Sequence, residues 1–416
     1  MKTSFPKDKI EVVLLEGIHD NAAALFEREG FRVSRHSGAA DPAELAALIA
    51  SAHVIGIRSK TRLVGEALGA ARRLLAVGCF CIGTNQVDLV SAAGAGVPVF
   101  NAPFSNTRSV AELTVAEVVM LHRRAFERSS QMHAGRWVKS ASGAHEVRGR
   151  TLGIVGYGHI GAQVSVLAES MGLRVLFYDV IPKLPLGNAR QTGSLDELLR
   201  ESDVVTLHVP ATDGTSGLIG AAEIENMKPG GHLINNARGS VVDLAALADA
   251  LRRGRLGGAA IDVFPEEPSS REAAFRGPLV GLENVILTPH IAGSTQEAQA
   301  SIAEEVGNKL LRFVNAGATT GAVNVPEVEP PPQRGMVAPG TDERPHRILH
   351  FHRNVPGVLS KINNAVSDLG VNVASQTLRT DGEIGYAVLD VAPSDGEQLR
   401  ARMDAIEGTI RTRVLW

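Results

Sequence analysis

The sequence predicts an α/β protein with two doubly wound, Rossmann-like parallel-sheet domains and a C-terminal domain of βαββαβ, ferredoxin-like order. Three observations carry this prediction. Strand and helix patterns alternate over residues 10–100, as in a parallel sheet covered by helices on both faces. The alternation resumes after a glycine-rich turn at residues 156–161. Residues 346–416 instead carry short alternating segments around two helical patterns, which is the ferredoxin-like order.

The first domain is predicted from repeated βα units. Asp41 precedes Pro42 at the start of a helical pattern, so we expect Asp41 to be the N-cap and Pro42 the first helical residue. A long helical pattern over residues 293–315 is expected to return to this domain, which therefore comprises residues 1–103 and 291–326. Its strands are expected at residues 10–15, 31–34, 53–57, 74–77 and 97–100, and helices at 21–29, from 42 onward and at 87–95.

The second domain is predicted over residues 104–290. Its first helix runs to about Phe126 and begins either with Ser109 and Glu112 as a capping box or with Asn106 as the cap one turn earlier. Its strands are expected at residues 152–155, 173–178, 203–208, 232–235, 258–261 and 285–287.

A linker is predicted over residues 327–345, which are rich in proline and poor in apolar residues and are expected to be partly extended. Residues 346–416 then form the C-terminal domain. Its strands are expected at residues 347–352, 371–378, 386–391 and 409–415, and its helices at 356–369 and 394–405.

Composition excludes several classes of protein. The net charge of −3 and the lack of a long basic run argue against nucleic-acid binding. No apolar run is long enough to span a bilayer, and residues 1–9 lack an apolar signal core. The two cysteines, Cys79 and Cys81, would point to opposite faces of a strand. We therefore expect reduced thiols in a cytoplasmic protein, without a disulfide or a metal site.

The glycine-rich turn has the spacing G-x-G-x-x-G and joins a strand pattern to a helix pattern. Gly156 permits the tight turn, Gly158 lets the backbone approach a pyrophosphate, and Gly161 lets the helix pack on the strand. The helix N-terminus attracts the phosphates. Asp179 ends the next strand and can accept from both ribose hydroxyls, which favours NAD over NADP. The alternative is a glycine-rich turn in an ordinary α/β protein.

Three further segments follow predicted strands of the same domain, where ligands bind in parallel α/β sheets. They supply Arg238, Glu267 and His290. These residue types suit the oxidation of a 2-hydroxy acid: arginine binds the carboxylate, histidine takes the hydroxyl proton, and a carboxylate fixes the histidine tautomer. Taken separately, Arg238 could be a surface arginine, Glu267 a loop acid and His290 a structural histidine.

Together with the glycine-rich turn and these three segments, the runs GIRSKT (56–61), VGCFCIGTNQVD (77–88) and NAPFSNTRSVAE (101–112) resemble the D-isomer-specific 2-hydroxyacid dehydrogenase family. The resemblance covers essentially the whole chain. Within the family, the chain is similar to short-type members that act on 3-phosphoglycerate and carry one C-terminal ACT domain.

The resemblance implies that Arg238 and Glu267 are catalytic and that His290 is the acid/base. Arg58, Ser59, Lys60, Asn106 and Lys139 would contact the substrate, Lys139 from a neighbouring subunit. Arg58 and Lys60 also follow a predicted strand, where they could meet an anion or simply be solvated. Implied NAD contacts are Gly156, Gly158, His159, Ile160, Gly161, Asp179, Asn236, Ala237, Arg238, Asp262, His290, Ile291, Ala292 and Gly293.

An ACT domain implies regulation by L-serine, with His352, Asn354 and Asn372 as effector contacts. An ordinary turn role for the two asparagines is the alternative. The resemblance also implies a homotetramer, and Trp137 in a polar loop suggests a subunit contact. Other functions stay open: a dehydrogenase for 2-hydroxyglutarate or glycerate, an NAD-sensing scaffold, and a serine sensor with inactive dehydrogenase domains.

Overall fold

The structure is a computed structural model that describes residues 5–268, 274–333 and 345–415. The chain divides into two compact units. Unit 1 comprises Met1–Ser105 and Gln299–Trp416, and unit 2 comprises Asn106–Ala298. Most of the predicted linker, residues 334–344, lies outside the described residues. Within the described part of the chain, no helix is both long and apolar enough to cross a membrane.

The first part of unit 1 is a parallel sheet with helices on both faces. Its elements are β1 (Glu11–Leu14), α1 (Asp20–Arg28), β2 (Arg32–Arg35), α2 (Pro42–Ser51), β3 (Val54–Ile57), α3 (Gly65–Ala70), β4 (Ala76–Cys79), α4 (Leu89–Gly94) and β5 (Val99–Asn101). The strand order is β2-β1-β3-β4-β5. One face buries Phe26 and Phe100 and the other buries Ile55 and Val77, which confirms a doubly wound domain. Asp41 caps α2, as predicted, by accepting from Ala43 N and Glu44 N at 2.9 Å.

Unit 2 contains a larger parallel sheet in the order β12-β11-β10-β9-β6-β7-β8. Its elements are α5 (Thr107–Arg123), α6 (Ala125–His133), β6 (Thr151–Val155), α7 (His159–Ser170), β7 (Arg174–Tyr178), β8 (Arg190–Gln191), α8 (Leu195–Glu201), β9 (Val204–Leu207), α9 (Ala221–Asn226), β10 (His232–Asn235), α10 (Leu244–Arg252), β11 (Gly258–Ile261) and β12 (Val285–Leu287). The chain leaves β6 in one direction for β7 and later adds β9 on the other side. This reversal is the switch point at which such sheets bind ligands.

The start of α5 differs from one prediction. Ser109 lies inside the helix, and its hydroxyl pairs with Thr295 Oγ1 at 2.8 Å rather than capping. Asn106 occupies the N-cap position, but its side chain forms no capping hydrogen bond. The helix also ends before Phe126, because Arg124 adopts a left-handed backbone with φ +50° and separates α5 from α6.

The C-terminal part of the chain follows α11 (Gln296–Ala316). Its elements are β13 (His346–Arg353), α12 (Val358–Ser367), β14 (Val373–Asp381), β15 (Ile384–Val391), α13 (Gly396–Asp404) and β16 (Thr409–Leu415). The sheet is antiparallel in the order β14-β15-β13-β16, which confirms the predicted βαββαβ arrangement. Phe351 and Tyr386 of this sheet share a core with Phe313 of α11, and Tyr386 Oη donates to Gly317 O at 2.7 Å.

Candidate active site

The glycine-rich turn links β6 to α7 with three glycines in different surroundings. Gly156 has φ +92°, and a Cβ there would lie 2.7 Å from His208 O. A Cβ on Gly161 would lie 2.3 Å from Gly156 O, so the helix packs against its own turn. A Cβ on Gly158 would meet nothing within 4 Å. Gly158 is the N-cap of α7 without a side-chain cap. The turn therefore leaves open space at the positive end of a helix, which fits a pyrophosphate.

Asp179 lies beside this turn. Its Oδ2 accepts from Tyr157 N at 2.9 Å, and its Oδ1 accepts from Ile181 N at 3.2 Å. Tyr157 is itself buried and stacks on Phe177 with ring centroids 3.8 Å apart. The carboxylate is therefore fixed at the end of β7 while remaining partly exposed, as an acceptor for ribose hydroxyls requires. His159 and Ile160 form the first turn of α7.

Arg238 follows β10 in a loop that is held by Asn235 and packed against Phe264. Asn235 accepts from Ala237 N through Oδ1 at 3.1 Å and donates from Nδ2 to Arg238 O at 3.0 Å. Next in the chain is Gly239, where a Cβ would lie 2.0 Å from Phe264 C. Only glycine permits that approach, which brings the loops after β10 and β11 together.

His290 and Glu267 form the central pair of the site. His290 Nδ1 lies 3.0 Å and 2.9 Å from the two carboxylate oxygens of Glu267, and both side chains are partly exposed. The hydrogen bond to Glu267 raises the pKa of His290, although burial and Arg238 oppose it. Burial raises the pKa of Glu267, but the hydrogen bond and charge of His290, Phe264 N–H and Arg238 together hold it below its ordinary value. The charge of Arg238 thus lowers the pKa of both members of the pair.

The loop that carries His290 is held by Asp262, which is fully buried. Asp262 Oδ1 accepts from Thr288 Oγ1 at 2.6 Å and from Ile291 N at 2.8 Å, and Oδ2 accepts from Ala292 N at 2.9 Å. His290 has φ +55°, a left-handed backbone that L-residues with a side chain rarely adopt. Its N–H donates to Asp262 O at 2.8 Å. Asp262 therefore stabilises the strained loop from inside the protein.

A buried polar network lies under Asn236, and sequence analysis missed it. Asn236 Nδ2 donates to Glu117 Oε2 at 2.7 Å and to Thr114 Oγ1 at 3.0 Å. Burial raises the pKa of Glu117 to about 7, with a smaller contribution from the charge of Asp262, while the Asn236 hydrogen bond opposes the rise. The available signal was an acid at position 117 on the apolar face of α5, where burial of an acid needs a partner.

The predicted anion-binding residues lie in unit 1, in the loop after β3. Glu16 holds this loop, since its carboxylate accepts from Arg58 N, Lys60 N and Thr61 N at 3.1, 3.0 and 2.8 Å. Arg58 is half-buried, and Ser59 is exposed. Glu16 was not predicted. Its own φ of +59° gave no sequence signal, because the position is not a glycine.

The other predicted substrate residues lie in unit 2. Asn106 packs beside Gly293, where a Cβ would lie 2.2 Å from Asn106 Nδ2. Its buried Oδ1 has no hydrogen-bond partner among the described residues. Lys139 is exposed in the segment that also carries Trp137, which is 79% exposed.

Two of the predicted effector residues lie at opposite ends of the antiparallel sheet: Asn354 N donates to Glu383 O between β14 and β15, whereas Asn372 O accepts from Ala392 N just after β15. Asn354 and Asn372 are exposed, and Asn354 Nδ2 donates to Gly382 O at 3.1 Å. His352 is instead buried, and a Cβ on Gly385 would lie 2.3 Å from its Nε2. The buried Nδ1 of His352 has no partner among the described residues.

Comparisons with known proteins identify the family of the chain. Residues 115–292 match the family described as the NAD binding domain of D-isomer specific 2-hydroxyacid dehydrogenases, and residues 348–411 match the AHAS small subunit-like ACT domain. The chain is 50% identical to D-3-phosphoglycerate dehydrogenase of Haemophilus influenzae over 416 residues, covering 100% of this chain and 99% of the relative. It is also 50% identical to that of Escherichia coli K12 over 418 residues, covering 100% of both chains.

A solved structure of D-lactate dehydrogenase from Aquifex aeolicus, complexed with NAD and lactic acid, is 30% identical. The TM-score is 0.63, and the match covers 73% of this chain and 95% of that chain.

Proposed function

The chain belongs to the D-3-phosphoglycerate dehydrogenases of the D-isomer specific 2-hydroxyacid dehydrogenase family, and on that premise we propose its reaction and its control. The protein is an NAD-dependent oxidoreductase. The proposed reaction oxidises 3-phospho-D-glycerate to 3-phosphohydroxypyruvate, the first committed step of L-serine biosynthesis. The observation that carries this proposal is the His290–Glu267 pair, with Nδ1 2.9 Å from Oε2 and with the charge of Arg238 acting on both.

The chemistry divides among these three residues. Because Nδ1 of His290 faces the carboxylate, the neutral ring carries its proton there and offers the Nε2 lone pair as a base. Nε2 takes the proton of the substrate C2 hydroxyl, and Glu267 stabilises the imidazolium that results. Arg238 binds the substrate carboxylate and polarises the C2 oxygen. Bound NAD supplies the hydride acceptor.

The residues present fit NAD. The open space at Gly158 and the uncapped start of α7 would hold the pyrophosphate, and Asp179 would accept from the ribose. We propose further contacts from two groups, one around the turn and one in the catalytic loops. They are His159, Ile160, Asn236, Ala237, Arg238, His290, Ile291, Ala292 and Gly293. Asp262, whose oxygens already accept from its own loop, would act by holding that loop.

The substrate phosphate needs a second cation besides Arg238. We propose that Arg58, Ser59 and Lys60 supply this site, because Glu16 aligns their loop. Asn106 would contact the substrate. Lys139 would do so from a neighbouring subunit of a homotetramer, which would cover Trp137.

We also propose the division of the chain into residues 1–103 with 291–326 for the substrate, 104–290 for NAD, a linker at 327–345 and an ACT domain at 346–416. A cytoplasmic location remains a prediction.

L-serine is the proposed effector. An ACT domain with exposed Asn354 and Asn372 would offer amide groups to the serine ammonium and carboxylate when two copies pair. Because His352 is buried, it would support the effector site.

Steady-state reduction of 3-phosphohydroxypyruvate with NADH tests the proposal directly, with pyruvate and 2-oxoglutarate as competing substrates. We expect the phosphorylated substrate to have the highest kcat/KM. No turnover with any of these 2-oxo acids would overturn the enzymatic proposal, and a preference for 2-oxoglutarate would favour the 2-hydroxyglutarate alternative. Adding L-serine should lower turnover in the wild type and less in Asn354→Ala, while D-serine serves as the control. Equal effects of the two enantiomers would contradict a specific serine site.

A further inference from the structure

A surface cleft in unit 1 lies at the edge of the first sheet opposite the loop of Arg58. The cleft has a volume of about 450 Å³ and is lined by Phe5, Lys9, Glu11, Arg32, His53 and Arg73. Four of these positions precede or begin strands β1, β2, β3 and β4, so the cleft lies at the amino ends of the strands. Since β3 is four residues long, its two ends are roughly 10–15 Å apart. The cleft is therefore separate from the anion site proposed for the substrate.

The charges of the cleft are unbalanced. It contains three permanent cations, Lys9, Arg32 and Arg73, against the single acid Glu11. Arg32 approaches Glu11 only at 3.9 Å. Within the part of the chain that the structure describes, Lys9 and Arg73 form no salt bridge. Cations that converge on a concavity without matching acids attract an anion.

His53 supplies a buried donor to the same cleft. Its side chain is only 8% exposed, and its Nδ1 accepts from Glu11 N at 3.1 Å. The neutral ring therefore carries its proton on Nε2, which makes that atom a hydrogen-bond donor. Burial and then the positive charge of Arg73 lower the pKa of His53, so the ring stays neutral. The ring of Phe5 lies 5.1 Å from that of His53 and adds an aromatic wall.

The segment that carries Arg73 is fixed from the C-terminal sheet. Arg411 of β16 donates from Nη2 to Arg72 O at 2.9 Å and from Nη1 to Leu74 O. These two carbonyls flank Arg73. The guanidinium of Arg73 is thus attached to a segment held in place on both sides, and an occupant of the cleft would lie next to the contact with the C-terminal sheet.

We propose that this cleft binds a small organic phosphate. Two guanidinium groups and an ammonium match a dianion, and guanidinium groups bind phosphate oxygens in pairs. The imidazole N–H adds a neutral donor at the buried end, and Phe5 suits an apolar or aromatic portion attached to the phosphate. A carboxylate of single charge would leave the cleft with excess positive charge.

Isothermal titration calorimetry of the full-length protein at low salt, with phenyl phosphate as the probe, tests this site. We expect Arg73→Ala to weaken a binding event of the wild type by about tenfold or more, the usual effect of losing a charge-assisted hydrogen bond. Arg72→Ala is the matched control: it removes the same charge from the neighbouring exposed position, which does not line the cleft. Inorganic phosphate should bind more weakly than phenyl phosphate, because it leaves Phe5 without a contact.

The active site also binds phosphate groups, and kinetics separate the two sites. The inhibition constant of phenyl phosphate against 3-phosphoglycerate should be the same in Arg73→Ala as in the wild type. The proposal is overturned if wild type shows no binding beyond that inhibition, if Arg72→Ala and Arg73→Ala titrate alike, or if Arg73→Ala changes the inhibition constant in parallel with the calorimetric affinity. Thermal melts of both variants should match the wild type, because both side chains are exposed.

Discussion

The substitution Asp262→Asn should disable the enzyme without touching the acid/base. The variant keeps the size of the side chain but replaces one carboxylate oxygen with an amide NH₂ group. In the wild type, the Asp262 carboxylate accepts hydrogen bonds from Thr288 Oγ1, Ile291 N and Ala292 N. In either orientation of the amide, at least one of these donors would face another donor inside the protein.

The size of the expected fall in kcat follows from the hydrogen bonds that the loop of His290 loses. A hydrogen bond to a charged group contributes about 1.5–3 kcal/mol, and a buried unpaired donor adds a penalty of similar size. The left-handed backbone of His290 costs about 1–2 kcal/mol and persists only while its surroundings hold it. A net loss of about 2 kcal/mol corresponds to roughly a 30-fold shift between the catalytic loop and its alternatives. We therefore expect kcat to fall by about one to two orders of magnitude.

Steady-state kinetics and hydrogen exchange together check this reasoning. The amides of Ile291 and Ala292 should exchange faster in Asp262→Asn, as measured by mass spectrometry of peptides that cover the loop. Asp249→Asn is the control, because Asp249 is exposed on α10 and pairs with Arg253 at the surface. The loop argument is refuted if Asp262→Asn keeps the wild-type kcat, or if kcat falls while exchange in the loop is unchanged.

Three further outcomes follow from the site. Glu267→Gln should shift the rising limb of kcat/KM for oxidation toward lower pH, because Glu267 raises the pKa of His290 and the neutral ring is the base; an unmoved limb would contradict the pair. The pKa of Glu117 is raised from 4.5 to about 7 in the folded protein, so its burial costs stability progressively as pH rises from about 4.5 to about 7 and by a constant amount above that; the melting temperature of Glu117→Gln relative to the wild type should therefore rise over this interval and level off above neutral pH, and a pH-independent difference would count against this assignment. Gly158→Ala should melt like the wild type but bind NADH more weakly, whereas Gly161→Ala should lower the melting temperature, since only its Cβ meets a carbonyl, at 2.3 Å; identical melts of the two variants would contradict the packing argument.

The sequence predicted the fold well because the strands of a doubly wound sheet are short apolar runs with clear flanks. The catalytic roles of Arg238, Glu267 and His290 stay a prediction, made because each follows a predicted strand and the carboxyl ends of parallel strands meet at one edge; the structure adds that His290 Nδ1 contacts the Glu267 carboxylate. The β-strand Arg190–Gln191 was missed because two residues at a sheet edge carry no periodicity. The break at Arg124 was missed because its left-handed backbone occurs at a residue that favours helix.

The residues that support the site were harder to predict than those that contact ligands. Candidate ligand contacts can be found in a sequence from their residue type and from their position after a strand. A supporting acid is recognised only by the groups that donate hydrogen bonds to it. Asp262 was predicted as a cofactor contact, which stays a prediction, and the structure adds that its carboxylate accepts from the loop of His290. That assignment required the folded loop, because Ile291 and Ala292 are 29 and 30 residues away along the chain.

Three loops of the proposed site share one physical device. Glu16 accepts from the backbone around Lys60, Asp262 from the backbone after His290, and Glu117 from the amide of Asn236. In each case a carboxylate satisfies donors that a tightly turned loop cannot pair with itself, and charge-assisted bonds are the strongest available for that purpose. Each of these carboxylates therefore stabilises a loop of its own unit through donors of the protein itself.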